Sequence, residues 1–448
     1  MDYDVVVLGA GNAGFGAAGV ARDAGLSVAV VEERDVGGTC PLRGCVPKKV
    51  LVAASEILEA IARAEQHGIS VSSAKLDWST LIERKRSFVE GVPEQMSESL
   101  ESRGIDVLRG SARFVARDAV EVGDRRVSAK EFVIATGSAP RRLSIAGAEH
   151  TITSDEFLEL EEQPARAIFI GSGVIALEFS HVLARAGSSV TVLEVAPKVL
   201  GNFDQELVAD LLAVSAELGI ETHTSAKIVR IEKRDAELSV VAEIDGREQR
   251  FAADLVVNAA GRVPSLAFLN LEAAGLSFDA GRPRLERGIR SADNPHVWFA
   301  GDALPATPQL SPVATWEGQA VGRHLVSGGL PTALDYQAIP SCVYTIPALA
   351  SVGHTEASAK AAGLSVEVAD NDMKSWRSAR TYAERAARSR VVTTKADGRI
   401  IGASILGHGA QEVIHLFAFA IAHGLEKSEL SSAVYAYPTF SSDVRYML

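Results

Sequence analysis

Two similar segments, each with a glycine-rich turn between a strand and a helix, most strongly limit the folds open to this chain. Asp4 to Leu8 is a β-branched apolar run that predicts a strand, and Gly9-Ala10-Gly11-Asn12-Ala13-Gly14 follows it before an alanine-rich helical stretch. Leu26 to Val31 predicts the next strand, which ends at Glu32. A dinucleotide site requires this order, because glycines let the backbone approach a pyrophosphate, a helix N-terminus stabilises its charge and an acid binds ribose hydroxyls.

The same pattern recurs later in the chain. Ala167 to Ile170 predicts a strand, Gly171-Ser172-Gly173-Val174-Ile175-Ala176 the turn, and the next strand ends at Glu194. Two such units predict two bound dinucleotides, most simply a flavin and a nicotinamide. A carboxylate at Glu194 suits the 2′-hydroxyl of NADH and repels the 2′-phosphate of NADPH, and no arginine follows as far as Gly201. The sequence therefore favours NADH over NADPH.

Charge and hydropathy exclude several classes of partner. The chain has 45 Lys and Arg against 57 Asp and Glu, a net charge of −12, which argues against nucleic-acid or anionic-membrane binding. It contains no uninterrupted apolar run of about 20 residues that would predict a membrane span. Asp2 and Asp4 stand where a signal peptide would be basic. We therefore expect a cytoplasmic protein with neither a nucleic-acid nor a membrane partner.

The segment GGTCPLRGCVPKK, residues 37–49, contains Cys40 and Cys45. Three interpretations are open: a structural disulfide, a metal site and a redox-active pair. Persistent structural disulfides are unusual in the cytoplasm. A metal site needs further ligands, yet the third cysteine, Cys342, lies far along the chain. A helix start and the cation of Lys48 favour a thiolate, so the pattern favours a redox pair beside a flavin and no bound metal.

Further segments fit the same architecture. Short predicted strands end at Thr136-Gly137 and at Gly301-Asp302, and Gln309-Leu310-Ser311-Pro312 predicts a helix start with proline in the first turn. From about Asp335 strand-like runs precede a helix from Ala410 to His423. The fold class predicted is α/β, with two doubly wound, Rossmann-like dinucleotide-binding domains and a C-terminal α+β domain. The expected boundaries are 1–145 and 263–334 for the flavin domain, 146–262 for the nicotinamide domain and 335–448 for the C-terminal domain.

The order and spacing of these motifs resemble those of the flavoprotein disulfide reductases over essentially the whole chain. The motifs are GxGxxG, GGTCxxxxCVPKK, ATG, GxGxxA followed by Leu-Glu, and Gly-Asp. This family includes glutathione reductase, dihydrolipoamide dehydrogenase and mercuric reductase. The resemblance implies an FAD-dependent pyridine nucleotide-disulfide oxidoreductase that forms a homodimer, with residues 335–448 as its interface (dimerisation) domain and residues 146–262 as its NAD(P)H domain. Its NADPH-dependent members carry two arginines at the positions of Val195 and Gly201, which again favours NADH.

The resemblance also implies roles for individual residues. Cys45 would be the thiolate next to the flavin and Cys40 the exchange thiol, with Lys48 and Glu178 paired beside the flavin N5. FAD would be bound by Gly9, Gly11, Asn12, Ala13, Gly14, Glu32, Gly38, Thr39, Thr136, Gly137, Gly301, Asp302, Gln309, Leu310 and Ser311. NAD would be bound by Gly171, Gly173, Val174, Ile175, Glu194, Gly261 and Arg262.

The C-terminal motif departs from the family. Disulfide-reducing members have His-Pro-Thr and a glutamate five residues after the histidine, whereas this chain has Tyr437-Pro438-Thr439, with Ser442 at the glutamate position and Asp443 one position later. A histidine is an acid or a base near neutral pH, whereas a tyrosine is a neutral donor. Tyr437 is therefore either a proton donor or only a packing residue of a dimer interface. Dihydrolipoamide oxidation, which requires a base, becomes the least expected family activity.

We expect hydride transfer from NADH through FAD to Cys40 and Cys45, and then reduction of a disulfide or another thiol-reactive acceptor. Alternatives are a diaphorase, oxidase or transhydrogenase in which the disulfide is incidental, and a metal reductase similar to mercuric reductase. The C-terminal cysteine pair of mercuric reductase is absent, because this chain ends Arg445-Tyr446-Met447-Leu448. A non-catalytic, NAD(H)-responsive flavoprotein is a further possibility. The polar stretch at Trp376, Arg377 and Arg380 is interpreted as a border of the substrate cleft.

Overall fold

The computed structural model describes residues 1–235, 237–279, 282–305, 307–329 and 333–448 of the chain. The described residues form two units. The first unit comprises Met1–Lys48, Arg84–Arg141 and Arg262–Tyr336, and the second comprises Lys49–Glu83, Arg142–Gly261 and Gln337–Leu448. The structure confirms the predicted α/β fold class.

The first unit is built on a nine-stranded sheet with a parallel centre. Its main path runs in the order Leu285–Glu286, Arg290–Ser291, Val297–Phe299, Arg125–Ile134, Tyr3–Leu8, Val28–Glu32 and Asp106–Arg109. Ala112–Ala116 and Ala119–Val122 add antiparallel strands to Arg125–Ile134. The strand Tyr3–Leu8 pairs in parallel with both of its neighbours. Its buried valines account for this position, because a strand covered on both faces has to be apolar throughout.

Two helices of the first unit pack against each other through glycines. The helix Asn12–Asp23 follows the first glycine turn, and the helix Ser311–Ser327 returns from the C-terminal part of the unit. A Cβ at Gly318 would lie 2.1 Å from the Ala13 carbonyl oxygen, so a larger residue cannot occupy this contact. This close approach places the N-termini of the two helices side by side, where Asn12 Nδ2 is 3.4 Å from the Ser311 carbonyl oxygen.

Shorter elements complete the first unit. Its other helices are Thr39–Arg43 and Val92–Ser102, and two helices cross from one unit's residues into the other's, Cys45–Ala62 and Trp78–Arg86. Two small antiparallel pairs join Ser138–Pro140 to Arg262–Pro264 and Phe278–Asp279 to Arg282–Pro283.

The second unit contains the second nucleotide-binding pattern and the C-terminal sheet. Its parallel sheet has the order Ile220–His223, Ser189–Leu193, Arg166–Ile170 and Leu255–Asn258, with the helices Ser154–Phe157, Val174–Ala186 and Gln205–Glu217. A three-stranded antiparallel sheet of Lys227–Arg234, Glu237–Ile244 and Arg247–Ala253 follows. The sequence pattern does not predict this sheet, because its strands alternate short apolar and charged runs.

The C-terminal part of the second unit is an α+β arrangement. Five antiparallel strands lie in the order Ser341–Val343, Ala348–Gly353, Ile400–Gly407, Arg388–Thr394 and Val366–Asp372. The helices are Glu356–Ala361, Arg377–Thr381, Ala410–Ala422, Lys427–Ser432 and Val444–Met447. The helix Ala410–Ala422 buries Val413, Ile414 and Phe417 against this sheet, as its apolar spacing predicts. Within the described residues, no helix is both long enough and apolar enough to cross a membrane.

Candidate functional site

The first glycine turn leaves backbone amides available to a ligand. Gly9 has a φ of +108°, and a Cβ there would lie 2.4 Å from the carbonyl oxygen of Ala135. A Cβ at Gly14 would lie 1.9 Å from the carbonyl oxygen of Gly9. Gly11 precedes the helix Asn12–Asp23 and supplies no side-chain cap. The first amides of this helix therefore remain for an anion such as a pyrophosphate.

Glu32 is held at the end of its strand beside this turn. One carboxylate oxygen accepts a hydrogen bond from the Ala10 amide at 2.8 Å, and the other accepts one from the Arg34 amide at 2.8 Å. A carboxylate has about four acceptor sites, so each oxygen can still accept from a ribose hydroxyl. Glu32 therefore holds the turn in place and can still accept hydrogen bonds from a nucleotide ribose.

A second uncapped helix N-terminus faces the same region. Leu310 precedes the helix Ser311–Ser327 without a side-chain cap. Asp302 accepts a hydrogen bond from Ser138 Oγ at 2.9 Å, and burial raises the pKa of Asp302. Thr136 Oγ1 is buried without a hydrogen-bond partner among the described residues. Two free helix starts, an acid and an orphaned hydroxyl fit the pyrophosphate, ribityl chain and ring of FAD.

The residues predicted for FAD converge in the first unit. A Cβ at Gly38 would lie 2.8 Å from Gly11 Cα, and one at Gly301 would lie 2.9 Å from the Ala13 side chain. These contacts join parts of the chain that are far apart in sequence. The members of this set in the first unit are Gly9, Gly11, Asn12, Ala13, Gly14, Glu32, Gly38, Thr39, Thr136, Gly137, Gly301, Asp302, Gln309, Leu310 and Ser311.

Glu317 also belongs to this region, although it lies in none of the motifs that predict the site. It is fully buried, and its carboxylate accepts hydrogen bonds from the Gly301 amide at 2.6 Å and from Tyr336 Oη at 2.8 Å. Burial raises the pKa of Glu317 to about 7. The contacts hold the Gly301–Asp302 turn in place. An acid on the buried, Ala- and Gly-rich face of a helix was the available signal.

The two cysteines lie on consecutive helices. Cys40 belongs to the helix Thr39–Arg43, and Cys45 is the first residue of the helix Cys45–Ala62, with Gly44 between them. Both are free thiols in this structure. Cys45 Sγ is 3.3 Å from Ser311 Oγ, so Cys45 lies at the N-terminus of the helix Ser311–Ser327 that would face a flavin ring.

The two thiols differ in acidity. A hydrogen bond from Cys40, another from Ser311 and the charge of Lys48 lower the pKa of Cys45 to about 6. The same hydrogen bond to Cys45, together with burial, raises the pKa of Cys40 well above its usual range. The reduced pair therefore holds a thiolate at Cys45 and a proton on Cys40 at neutral pH. Cys45 is thus suited to an electron-rich contact, and Cys40 needs to lose a proton before it attacks a substrate.

The difference in pKa between Cys40 and Cys45 predicts that the two thiols react with an alkylating reagent over different pH ranges. Iodoacetamide labelling of Cys45 in the reduced enzyme should have a midpoint near pH 6 and fall at lower pH, because a depressed pKa retains the thiolate down to that value. Peptide mass spectrometry separates Cys45 from Cys40, whose labelling should stay low until strongly alkaline pH. The variant Ser311→Ala should raise the Cys45 midpoint. A Cys45 midpoint near the ordinary thiol value of about 8.5 would contradict the assignment.

The second glycine turn repeats the geometry of the first in the second unit. Gly171 has a φ of +104°, and a Cβ there would lie 2.4 Å from the Ala259 carbonyl oxygen. Gly173 precedes the helix Val174–Ala186 without a side-chain cap. Glu194 accepts hydrogen bonds from the Ser172 amide at 2.8 Å and the Ala196 amide at 2.7 Å. The residues that fit a second dinucleotide here are Gly171, Gly173, Val174, Ile175, Glu194 and Gly261.

Three further residues predicted for these sites, Arg262, Glu178 and Lys48, lie outside the two glycine turns. Arg262 belongs to the first unit, where its guanidinium donates to Ser138 Oγ at 2.9 Å and to the Ser138 carbonyl oxygen at 2.6 Å. Glu178 is buried in the second unit and accepts from the Tyr344 amide at 2.9 Å. Lys48 lies in the first unit beside Cys45. The pairing of Lys48 with Glu178 stays a prediction.

Tyr437 is exposed, with 67% of its surface accessible. Arg377 Nη1 donates a hydrogen bond to Tyr437 Oη, and the guanidinium carbon lies 6.0 Å from the centre of the phenol ring. Ser378 Oγ donates to the Asp443 carboxylate, and burial raises the pKa of Asp443. The short helix Arg377–Thr381 thus binds both Tyr437, which stands at the position of the expected histidine, and Asp443, which lies one position after that of the expected glutamate.

Metal-ligating side chains do not cluster in the described ranges. No group of three or more His, Cys, Asp or Glu residues there is arranged to hold a metal ion. A metal ion bound at Cys40 and Cys45 would therefore have two sulfur ligands.

Comparison with known proteins agrees with this geometry. Residues 3–318 match the family model described as pyridine nucleotide-disulphide oxidoreductase, and residues 339–448 match the dimerisation domain of the same family. The chain is 31% identical to a mercuric reductase of Staphylococcus aureus, over 99% of this chain and 81% of that protein. It is 31% identical to a glutathione reductase of Burkholderia cepacia (99% and 97%) and to a dihydrolipoyl dehydrogenase of Haloferax volcanii (98% and 94%).

Solved structures give the same result for the fold. The HOCl-induced flavoprotein disulfide reductase RclA from Escherichia coli superposes with a TM-score of 0.88 at 25% identity, covering 99% of both chains. The Cu(II) complex of a cysteine-to-serine mutant of that protein gives 0.89 at 25% identity, covering 100% of this chain and 98% of that one.

Proposed function

The chain belongs to the pyridine nucleotide-disulphide oxidoreductase family, and we propose that within this family it uses NADH to reduce a small disulfide at the Cys40–Cys45 pair. Members of this family are FAD- and pyridine nucleotide-dependent enzymes, and this chain is one of them. We propose in addition the disulfide acceptor, a preference for NADH, a cytoplasmic location and a homodimer joined through residues 339–448.

The placement of Cys40 and Cys45 on consecutive helices, with Cys45 Sγ 3.3 Å from Ser311 Oγ at the start of the helix Ser311–Ser327, carries the proposal. FAD, when bound, relays the two electrons of the NADH hydride to the Cys40–Cys45 disulfide. The Cys40 sulfur then attacks one sulfur of the acceptor, and the S–S bond of the acceptor breaks. The proton that Cys40 loses ends on the leaving sulfur, which departs as the first thiol, and the second leaving sulfur takes the proton that enters the overall balance. Cys45 attacks Cys40 in the resulting mixed disulfide, the second thiol leaves, and the Cys40–Cys45 bond forms again. The balance is NADH, one proton and a disulfide giving NAD⁺ and two thiols.

Tyr437 is the proposed proton donor to the leaving thiol. In a homodimer of the family type, Tyr437 of one protomer would face Cys40 of the other. Its oxygen already accepts a hydrogen bond from Arg377, so its own hydrogen is directed away from that guanidinium. Arg377 therefore leaves the phenol O–H as a donor to the acceptor site. Lys48 and Glu178 are proposed to pair beside the flavin N5.

A soft metal ion is the second candidate acceptor. Cys40 keeps its proton and the motif supplies no histidine to remove it, whereas a thiophilic cation displaces thiol protons when it binds. Relatives named mercuric reductase and the Cu(II) complex of the RclA mutant support this candidate. In this candidate both cysteines bind one ion. One NADH would reduce one Hg(II) to Hg(0), or two Cu(II) ions in succession to two Cu(I), and would give NAD⁺ and one proton.

A panel of acceptors tests the proposal. NADH consumption by the holoenzyme should be measured with glutathione disulfide, lipoamide, hydroxyethyl disulfide, Hg(II), Cu(II) and a quinone. We expect turnover of at least one disulfide that exceeds turnover with quinone or oxygen. Turnover of Hg(II) or Cu(II) without turnover of any disulfide would replace the first candidate by the second.

The preference for NADH gives a separate prediction. We expect kcat/KM for NADH to exceed that for NADPH by about 10²-fold, because a 2′-phosphate would meet the Glu194 carboxylate without a compensating arginine. Installing the arginines in the double variant Val195→Arg with Gly201→Arg should reduce this ratio at least about tenfold. Val195 is 68% exposed, and a Cβ at Gly201 would meet nothing within 4 Å, so both positions accept the change.

The control is Val71→Arg, which adds a cation at another exposed valine. Its ratio of the two kcat/KM values should match that of the parent enzyme. Equal use of both nucleotides by the parent enzyme would contradict the role of Glu194.

A further inference from the structure

A positively charged groove lies in the C-terminal part of the second unit. Its volume is about 580 Å³, within the range of about 300 to 1,000 Å³ that small-molecule sites occupy. The side chains that give it its charge and its hydrogen-bonding groups are Gln66, His67, Lys374, Arg380, Thr381 and Arg385. A cationic groove is unexpected in a chain with a net charge of −12, so local charge rather than the overall charge of the chain determines what binds there.

The cations of the groove are only partly neutralised. Arg380 is exposed, and its guanidinium has no hydrogen-bond or ion-pair partner among the described residues. Lys374 Nζ is 3.9 Å from the exposed carboxylate of Asp372, a long ion pair that solvent screens. The acid of the groove wall, Glu384, is buried and bound to Arg63 at 2.8 Å. The groove therefore keeps a net positive charge toward solvent.

Arg385 adds less to this charge. Its guanidinium lies 3.0 Å from the buried carboxylate of Glu59 and 3.6 Å from Glu217. Glu59 is shared with Arg63 and Arg185, at 3.5 and 3.0 Å. This buried network fixes the wall of the groove, and Lys374 and Arg380 remain as the cations available to a ligand.

The groove and Tyr437 share one structural element. Arg380 lies three residues after Arg377 on the helix Arg377–Thr381, which places the two side chains on the same helix face. Arg377 donates to Tyr437 Oη. The helix Arg377–Thr381 therefore supplies Arg380 to the groove and, through Arg377, holds the phenol that we propose as proton donor to the acceptor.

From this arrangement we infer that the acceptor is a small disulfide carrying two or more carboxylate or phosphate groups, held by Lys374 and Arg380 while its S–S bond is reduced. The inference rests on the proposed disulfide reduction and narrows it. Guanidinium and ammonium groups bind carboxylates and phosphates through charge-assisted hydrogen bonds. The same cations repel free divalent metal ions, so the groove favours the first candidate acceptor over the second.

Three disulfides of similar size and different charge test the inference. They are dithiodipropionate with two carboxylates, neutral hydroxyethyl disulfide, and cystamine with two ammonium groups. We expect kcat/KM with the holoenzyme to decrease in that order, with at least a tenfold difference between dithiodipropionate and cystamine. The preference should decrease as ionic strength rises, because salt screens exposed charges.

The double variant Lys374→Ala with Arg380→Ala should reduce the ratio of kcat/KM for dithiodipropionate over cystamine at least fivefold. The matched control, Lys395→Ala, removes an exposed cation of the same unit outside the groove and should keep the ratio of the parent enzyme. Equal kcat/KM for the three disulfides, or an unchanged ratio in the double variant, would overturn the inference and leave disulfide reduction intact. Absence of turnover with all three and with glutathione disulfide would overturn the proposed function itself.

Discussion

Replacing Cys40 with serine is expected to reduce NADH-dependent disulfide turnover by at least about 10³-fold, because a serine hydroxyl neither attacks a disulfide nor forms the mixed disulfide. The substitution keeps a hydrogen-bond donor beside Cys45, so the thiolate next to the flavin is largely retained. The measurement is the steady-state rate of NADH oxidation with glutathione disulfide or hydroxyethyl disulfide. Reduction of a quinone by the same variant should continue, since that reaction does not need the exchange thiol.

This variant separates the thiol mechanism from its rivals. In a diaphorase, oxidase or transhydrogenase with an incidental disulfide, Cys40→Ser would keep the full activity of the parent enzyme with its physiological acceptor. Cys342→Ser is the matched control, because Cys342 lies on the strand Ser341–Val343 in the other unit. The control should keep disulfide turnover. Undiminished disulfide turnover by Cys40→Ser would contradict the proposed function.

The two glycine turns could be predicted from the sequence because most of their geometry is local. A glycine at position 9 or 171 is required locally by a positive φ, whereas the carbonyl oxygen 2.4 Å from a Cβ belongs to Ala135 or Ala259, which is distant in sequence. The acids at the ends of the following strands bind amides of the same turns. Local patterns of this kind are complete within about 30 residues, so one sequence is enough to identify them.

The environment of the cysteines depends on contacts that sequence does not reveal. Ser311 Oγ reaches Cys45 from 266 residues away, and the glycine contacts between two helices make this approach possible. The helix start at Ser311 was predicted, but the hydrogen bond that helps to lower the pKa of Cys45 was not. Glu317 was missed for a similar reason, because its partners Gly301 and Tyr336 meet only in the folded unit.

At the C-terminal site, some features can be predicted from the sequence and others cannot. The motif shows directly that Tyr437 replaces histidine, and the polar stretch at Arg377 is predicted to border the substrate cleft. The contact of Arg377 with Tyr437 spans 60 residues and follows from the packing of a short helix against the C-terminal segment. This contact changes the meaning of the substitution, because the family pattern orients a base with a carboxylate, whereas here a cation orients a phenol.

The guanidinium of Arg377 also affects the result that we expect when Tyr437 is replaced by histidine. A histidine at position 437 would accept the proton of Cys40 near neutral pH and return it to the leaving thiol, a contribution of about 10²–10⁴-fold when geometry permits. Arg377 would disfavour the imidazolium, because a nearby like charge lowers the pKa of a histidine. We therefore expect Tyr437→His alone to change turnover of hydroxyethyl disulfide by less than about tenfold. The double variant Tyr437→His with Arg377→Gln should raise it by about 10²-fold.

The variant Tyr437→Phe tests whether the phenol O–H acts as a proton donor in the parent enzyme. If the phenol protonates the leaving thiol, this variant should lose about tenfold or more in kcat for hydroxyethyl disulfide, and the loss should shrink at acidic pH, where solvent supplies the proton. Reduction of a quinone reports whether the variants retain FAD and fold. A double variant without a gain, together with an unchanged Tyr437→Phe, would restrict Tyr437 to packing at the interface. A gain in the double variant that is absent from Arg377→Gln alone would instead place Tyr437 at the exchange thiol, because only a group near the reacting sulfur can supply general-base help.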